Sequence, residues 1–237
     1  MEPHRESLWN IEYTWIFYTL AALAVLVLLY AIFRHYKRWK VGQPANRLNQ
    51  LGRRFADFLN IAIIDGLVHR KFFGADKKDW RFREFYPGLI HFLIFSGFIV
   101  LFLATALEFI NHYIVNFLEG NVYLAYSLLS DVFGIFVIIG VVMALIRRYG
   151  QKPARLDNRH DDLIALLLLS GIILSGFVLE GFRIAATELQ TDPGWAVWSP
   201  GGYVFALAFE GSEQETLLGW HTGIWWFHII LTLGTAI

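Results

Sequence analysis

The sequence predicts an all-α fold: an integral membrane bundle of five transmembrane helices, with a further helix lying on the cytoplasmic surface. Three observations predict it. Of 237 residues, 56% are hydrophobic and only 17% charged, too apolar a balance for an ordinary soluble domain. Five apolar runs each reach the ~20 residues a helix needs to cross a bilayer. The runs are continuous rather than alternating, which selects helices over barrel strands, the only other structure that satisfies its backbone in lipid.

The elements follow in order. The first span covers residues 13–33. Its length, and a positive flank on the wrong side, separate it from a cleaved signal peptide. Next, over residues 46–67, Leu48, Leu51, Phe55, Phe58, Leu59, Ala62 and Ile63 recur at helical spacing, with Arg47, Arg53, Arg54, Asp57 and Asn60 on the other side. This pattern predicts an amphipathic helix on the cytoplasmic face, either anchoring to anionic lipid or docking a soluble partner. The second, third and fourth spans cover residues 88–110, 121–146 and 163–184.

Between the fourth and fifth spans, "DPGWAVWSPGGYVFALAF" opens on turn residues and two tryptophans, Trp195 and Trp198, which suit the membrane interface. Residues 202–209 are apolar but too few to cross, and predict a re-entrant or interfacial half-helix capping the outer end of the bundle. The fifth span covers residues 217–237, so that residues 1–237 form one membrane domain.

Positive charge sets the orientation. Thirteen Lys and Arg lie between the first and second spans and five between the third and fourth. The N-terminal tail holds only Arg5, and Arg183 stands at the edge of the fourth span. The positive-inside rule then places the N-terminus outside and the C-terminus inside. A net charge of zero gives no reason to expect a nucleic-acid partner. The absence of cysteine excludes disulfides, thiolate nucleophiles and cysteine-held iron–sulfur clusters within this chain.

Histidine inside a membrane is costly without a partner and marks a functional site by default. The stretch "GWHTGIWWFHII" carries His221 and His228. Seven residues turn a helix about 20° short of two full turns and rise ~10.5 Å, so the two share a face. The second span offers His91 near its inner end and His112 just beyond its outer end. Imidazoles from two facing helices at matching depth are what a haem needs; a histidine bonded to a backbone carbonyl is the plainer alternative. Antiparallel helices put His112 and His221 near the outer surface, His228 near mid-depth and His91 near the inner surface. His4, His35 and His160 read as solvated, and His69 is ambiguous. Asp131 lies within the third span. Glu180 and Arg183, spaced i,i+3, can pair, and could contact a quinone head group or a haem propionate. Gly97 suits close approach of a helix or of a flat macrocycle.

"YPGLIHFLIFSGFIVLFLAT" and "GIWWFHIILTLGTAI" resemble helices two and five of the nitrate reductase gamma subunit-like cytochromes b. "SGFVLEGFRIA" and "DPGWAVWSPGGYVFALAF" draw the likeness closer to the membrane portion of heterodisulfide reductase-related proteins, which include electron-transfer-flavoprotein:menaquinone oxidoreductases. The resemblance implies a membrane cytochrome with one or two haem b groups, passing electrons between a cytoplasmic iron–sulfur protein or electron-transfer flavoprotein and menaquinone or another quinone. It implies a prokaryotic cytoplasmic membrane. It makes His91 the inner ligand on helix two and His228 the outer ligand on helix five, with His221 part of the closer group's pattern.

Two departures stand out. The outer ligand on helix two falls at Leu101, which leaves His112 as a candidate second ligand, or leaves that haem absent. The inner partner on helix five falls beyond Ile237, as expected of a chain that continues into an iron–sulfur portion. No catalytic residue is assigned. The quinone or propionate contacts expected are Glu180, Arg183, Trp195 and Trp198. The rival readings are a transporter or proton channel using Asp131, Glu180, Arg183 and the histidines, and a passive membrane anchor.

Overall fold

The computed structural model describes residues 2–4, 7–42, 49–61, 82–154, 156–157 and 159–235. The described residues hold nine α-helices: α1 (Thr14–Lys40), α2 (Leu51–Leu59), α3 (Phe82–Tyr113), α4 (Gly120–Leu145), α5 (His160–Ala186), α6 (Glu188–Thr191), α7 (Pro193–Ala196), α8 (Pro200–Ala208) and α9 (Gln214–Thr235). No strand occurs among them, as an all-α fold requires.

Four helical stretches are long and apolar enough to cross a membrane: Thr14–Lys40, Phe85–Tyr113, Gly120–Gln151 and His160–Thr191. They match the first four expected spans, the first starting one residue later at Thr14, and overrun them at the polar ends. α1 continues past residue 33 because Arg34 to Lys40 stay helical, and its last turn carries Lys37, Arg38 and Lys40 against the carbonyl end of the helix dipole. α4 runs on through a π turn, Ile146–Gln151. α5 starts early because the Asp162 carboxylate accepts from the Arg159 backbone N–H at 3.4 Å, a capping bond.

α9 is a helix of 22 residues, yet it is not among those four. Gln214, Glu215, His221 and His228 dilute its apolar run. The helix expected over residues 46–67 corresponds to α2 among the described residues. Residues 49 and 50 form a turn, Gln50 sits in the left-handed region at φ 56°, and the helix begins at Leu51. Residues 46–48 and 62–67 of that expectation, and His69, lie outside the described residues. Leu51, Phe55 and Phe58 are about 60% exposed, so the apolar side of α2 is uncovered among the described residues.

The helices pack in sequence: α3 on α4, α4 on α5, α5 on α9 and α9 on α1, while α8 wedges against α4 and α5. The α3–α4 contact explains Gly97. A Cβ there would lie 2.3 Å from Val137 Cγ2 and 2.7 Å from the Phe133 carbonyl, so Gly97 lets two backbones meet. The buried core, built on Phe182, Ile184, Ala185, Ala206 and Leu217, sits at one end of the bundle. The N-terminal arm is tied across that same end. Gly120 N–H donates to the Pro3 carbonyl at 2.7 Å, Ser7 hydrogen-bonds Glu108, and Asn10 Nδ2 donates to the Leu218 carbonyl at 2.8 Å. This is called the arm end below.

Candidate functional site

The polar groups of the spans gather where α4, α5 and α8 meet. α8 begins at "SPGG", and the first N–H groups of a helix have no intrahelical acceptor. Asp131 supplies one from α4: its Oδ2 accepts from Gly201 N–H at 2.6 Å and from Gly202 N–H at 3.1 Å. Only glycine fits at both positions. A Cβ on Gly201 would stand 2.2 Å from the Phe177 ring, and one on Gly202 would stand 2.6 Å from Glu180 Cγ. Glu180 on α5 thus stands against the same N-terminus of α8 that Asp131 caps. The expected half-helix, residues 202–209, is thus a real helix two residues longer at its start, with its N-terminus capped by a buried side chain 70 positions earlier.

One turn along α5, Arg183 is clamped. Its Nη1 donates to Glu188 Oε1 at 2.6 Å and its Nη2 to Glu180 Oε1 at 3.5 Å, and Tyr123 OH donates to Glu188 at 3.2 Å. The expected Glu180–Arg183 pair is therefore present, but the shorter bond goes to Glu188. That partner lies beyond the end of α5, at a spacing no helical pattern marks. Arg183 and Glu188 open on a cavity of about 360 Å³ that also involves His4, Trp9, Thr191, Asp192 and Trp195. Trp195 lines the same cavity as Arg183. Trp198 is 39% exposed and does not line it. His4 is exposed, as expected, but borders the same cavity.

The four candidate histidines have four different surroundings. His228 is half-buried between α9 and α5. Its Nδ1 lies 2.9 Å from the Ser175 hydroxyl, and its Cε1 lies where a Cβ on Gly176 would be only 3.5 Å away. His221 is 4% exposed and stands edge-on to Trp9, ring centroids 4.7 Å apart. His91 is exposed on α3 and stacks on Phe95 at 5.7 Å. His112 is exposed and meets Tyr113 edge-on at 4.4 Å.

Contacts between neighbouring antiparallel helices act as a ruler of depth. Following Ser175–His228, Phe177–Gly134 and Val137–Gly97 across the bundle sets His228 level with Phe98 on α3. The same ruler sets His91 level with Thr235, about 10 Å away along the helix axis. His91 and His228 therefore serve two depths rather than one. Leu101 falls within a turn of the level of His228.

The donor set suits a haem better than a bare ion. Among the described residues no three His, Asp or Glu side chains cluster as a metal centre needs. A haem brings its own four nitrogens and asks the protein for one or two imidazoles. His228 has one ring nitrogen, Nδ1, held by the Ser175 hydroxyl, the kind of contact that orients an imidazole donor.

No family model matches the chain, and no solved structure matches it. Two curated proteins do. An EtfAB:quinone oxidoreductase of Syntrophomonas wolfei subsp. wolfei is 31% identical over 230 residues, which cover 94% of this chain and 30% of that protein. A probable iron-sulfur-binding oxidoreductase, FadF, of Bacillus subtilis is 24% identical over 225 residues, covering 94% of this chain and 29% of that protein. The chain spans less than a third of the length of these relatives. They bear out the resemblance to electron-transfer-flavoprotein:quinone oxidoreductases read from the sequence motifs.

Proposed function

We propose that this chain is the membrane-embedded part of a quinone-linked oxidoreductase, carrying haem b and passing electrons between a cytoplasmic iron–sulfur or flavoprotein partner and the quinone pool. The reading places it in the cytoplasmic membrane of a prokaryote, with α9 as a fifth span, the N-terminus outside and α2 on the inner surface. At 22 residues α9 is ~33 Å long, enough to cross, and it lies against α5 along its length. The names of the two relatives supply the redox class. The observation in this chain that carries the haem is His228, oriented through Nδ1 by Ser175.

Haem iron supplies one-electron chemistry when bound. The chain's own residues do the rest. His228 offers a ring nitrogen at mid-depth, and Ser175 fixes its ring. Trp225 and Trp226 pack edge to face at 4.9 Å on the turn of α9 before His228. His91 offers a second imidazole about 10 Å nearer the other end, which makes the two histidines donors to separate haems. Asp131 and Arg183 each have a structural task, capping α8 and holding Glu188, and so lend no support to a transport path.

The test is the reduced-minus-oxidised spectrum of the protein purified from haem-replete cells. Sharp low-spin bands on dithionite reduction are expected. A colourless, iron-free preparation overturns the reading.

A further inference from the structure

The cavity at the arm end has the size of a small-molecule site, which runs from ~300 to 1,000 Å³. At about 360 Å³ it holds one flat ring system and little more. Its walls combine two indoles, Trp9 and Trp195, with the Arg183 guanidinium. Arginine has five N–H donors, and the two bonds to Glu188 and Glu180 occupy two of them. The guanidinium can therefore still donate into the cavity.

Charge decides what it can donate to. Arg183 brings one positive charge, already matched by Glu188 at 2.6 Å and faced by Glu180 at 3.5 Å. Asp192 adds a further carboxylate to the lining. An anion entering here would meet an excess of negative charge at low dielectric, where repulsion is strong. A haem propionate or a free carboxylate is therefore a poor occupant. A neutral carbonyl oxygen on an aromatic ring accepts the hydrogen bond without adding charge.

We propose that this cavity binds the head group of the membrane quinone, with Arg183 donating to a quinone carbonyl and Trp9 and Trp195 walling the ring. The proposal rests on the quinone-linked reading above and gives that reading a place and a contact. It also fixes which of the expected contacts matter: Arg183 and Trp195 belong to the site, and Trp198 does not.

The experiment measures equilibrium binding of 2-methyl-1,4-naphthoquinone to the full chain in lipid nanodiscs. Thr191 is exposed on the cavity rim and its hydroxyl donates to the Thr187 carbonyl at 3.1 Å, so Thr191→Trp fills the space at the loss of that one exposed hydrogen bond. Arg183→Lys keeps the charge and removes the guanidinium fork, and serves where the first variant fails to assemble. Each is expected to weaken binding at least about tenfold, the worth of one hydrogen bond or of lost ring contact. Gly223→Ala, remote from the cavity, should bind as the parent does. The anionic probe 1,4-dihydroxy-2-naphthoate should not compete. Unchanged binding in both variants overturns the cavity and leaves the quinone-linked reading standing. Equal binding of the anionic probe overturns the neutral-acceptor assignment. A parent chain that binds no naphthoquinone overturns both.

Discussion

The Ser175 hydroxyl stands 2.9 Å from Nδ1 of His228, and that one contact joins α5 to α9 at the depth where a haem ligand is expected. A hydroxyl can take either role in a hydrogen bond, so it can accept from Nδ1–H and leave Nε2 as the metal donor. His228→Ala should remove one haem. Ser175→Ala should keep the ligand but loosen it, lowering haem affinity by ~10–100-fold and shifting the midpoint potential. Haem titration and redox potentiometry read both. Full haem content in His228→Ala would remove it from the ligand set.

His91 and His228 lie at different depths, so their losses should be independent. His91→Ala should remove a different haem from the one lost in His228→Ala, and the double variant should lose both. Low-temperature spectra that resolve the two bands decide this. A protein that loses the same band in both single variants would mean that one haem bridges the two histidines.

Asp131 caps α8 with two N–H bonds, and removing it leaves one buried and one part-buried donor without that acceptor. Each unsatisfied buried donor costs ~1–3 kcal/mol. Asp131→Ala should therefore destabilise the protein by several degrees in thermal unfolding. Asp131→Asn, which keeps an acceptor oxygen, should cost less. Equal loss in the two variants would mean that the charge, rather than the cap, is what α8 needs.

Gly97 and Gly223 make a matched pair. A Cβ at Gly97 collides with Val137 Cγ2 at 2.3 Å and with a backbone carbonyl at 2.7 Å, and the carbonyl cannot swing away. At Gly223 no atom lies within 4 Å. Gly97→Ala should destabilise by roughly 1–3 kcal/mol, as overpacking does. Gly223→Ala should be neutral or slightly stabilising, since alanine is the better helix former. Thermal unfolding of the two variants side by side checks the α3–α4 contact.

These contacts also show what the sequence could reveal. Long apolar runs and a "PGG" after two tryptophans are local signals, and they mark four spans and α8. Helix ends are less legible because a backbone stays helical past the hydrocarbon: Lys37 and Lys40 end α1 well beyond the last apolar residue. The i,i+3 spacing announces Glu180 and Arg183. Nothing local announces Glu188, which takes the shorter bond from a different helix. The capping role of Asp131 is not legible locally, because it depends on backbone N–H groups 70 residues away. The depth mismatch of His91 and His228 could be argued from antiparallel helices, and the contacts across α3, α4, α5 and α9 then put a ruler on it.

Orientation is the last prediction, and the chain suits its own test because it has no cysteine. Glu210 is exposed in the connection between α8 and α9, and Asp157 is exposed between α4 and α5. Asp157 pairs with Arg159 at 3.3 Å on the surface, an interaction too exposed to matter for folding. Positive residues crowd the Asp157 side: Arg147, Arg148, Lys152, Arg155 and Arg159 flank it, whereas acidic residues flank Glu210. The positive-inside rule then sends Asp157 to the cytoplasm and Glu210 outside. In intact cells a membrane-impermeant maleimide should label Glu210→Cys and should reach Asp157→Cys only after permeabilisation. The reverse pattern would invert the whole bundle. It would put the arm-end cavity on the cytoplasmic side and His91 outside.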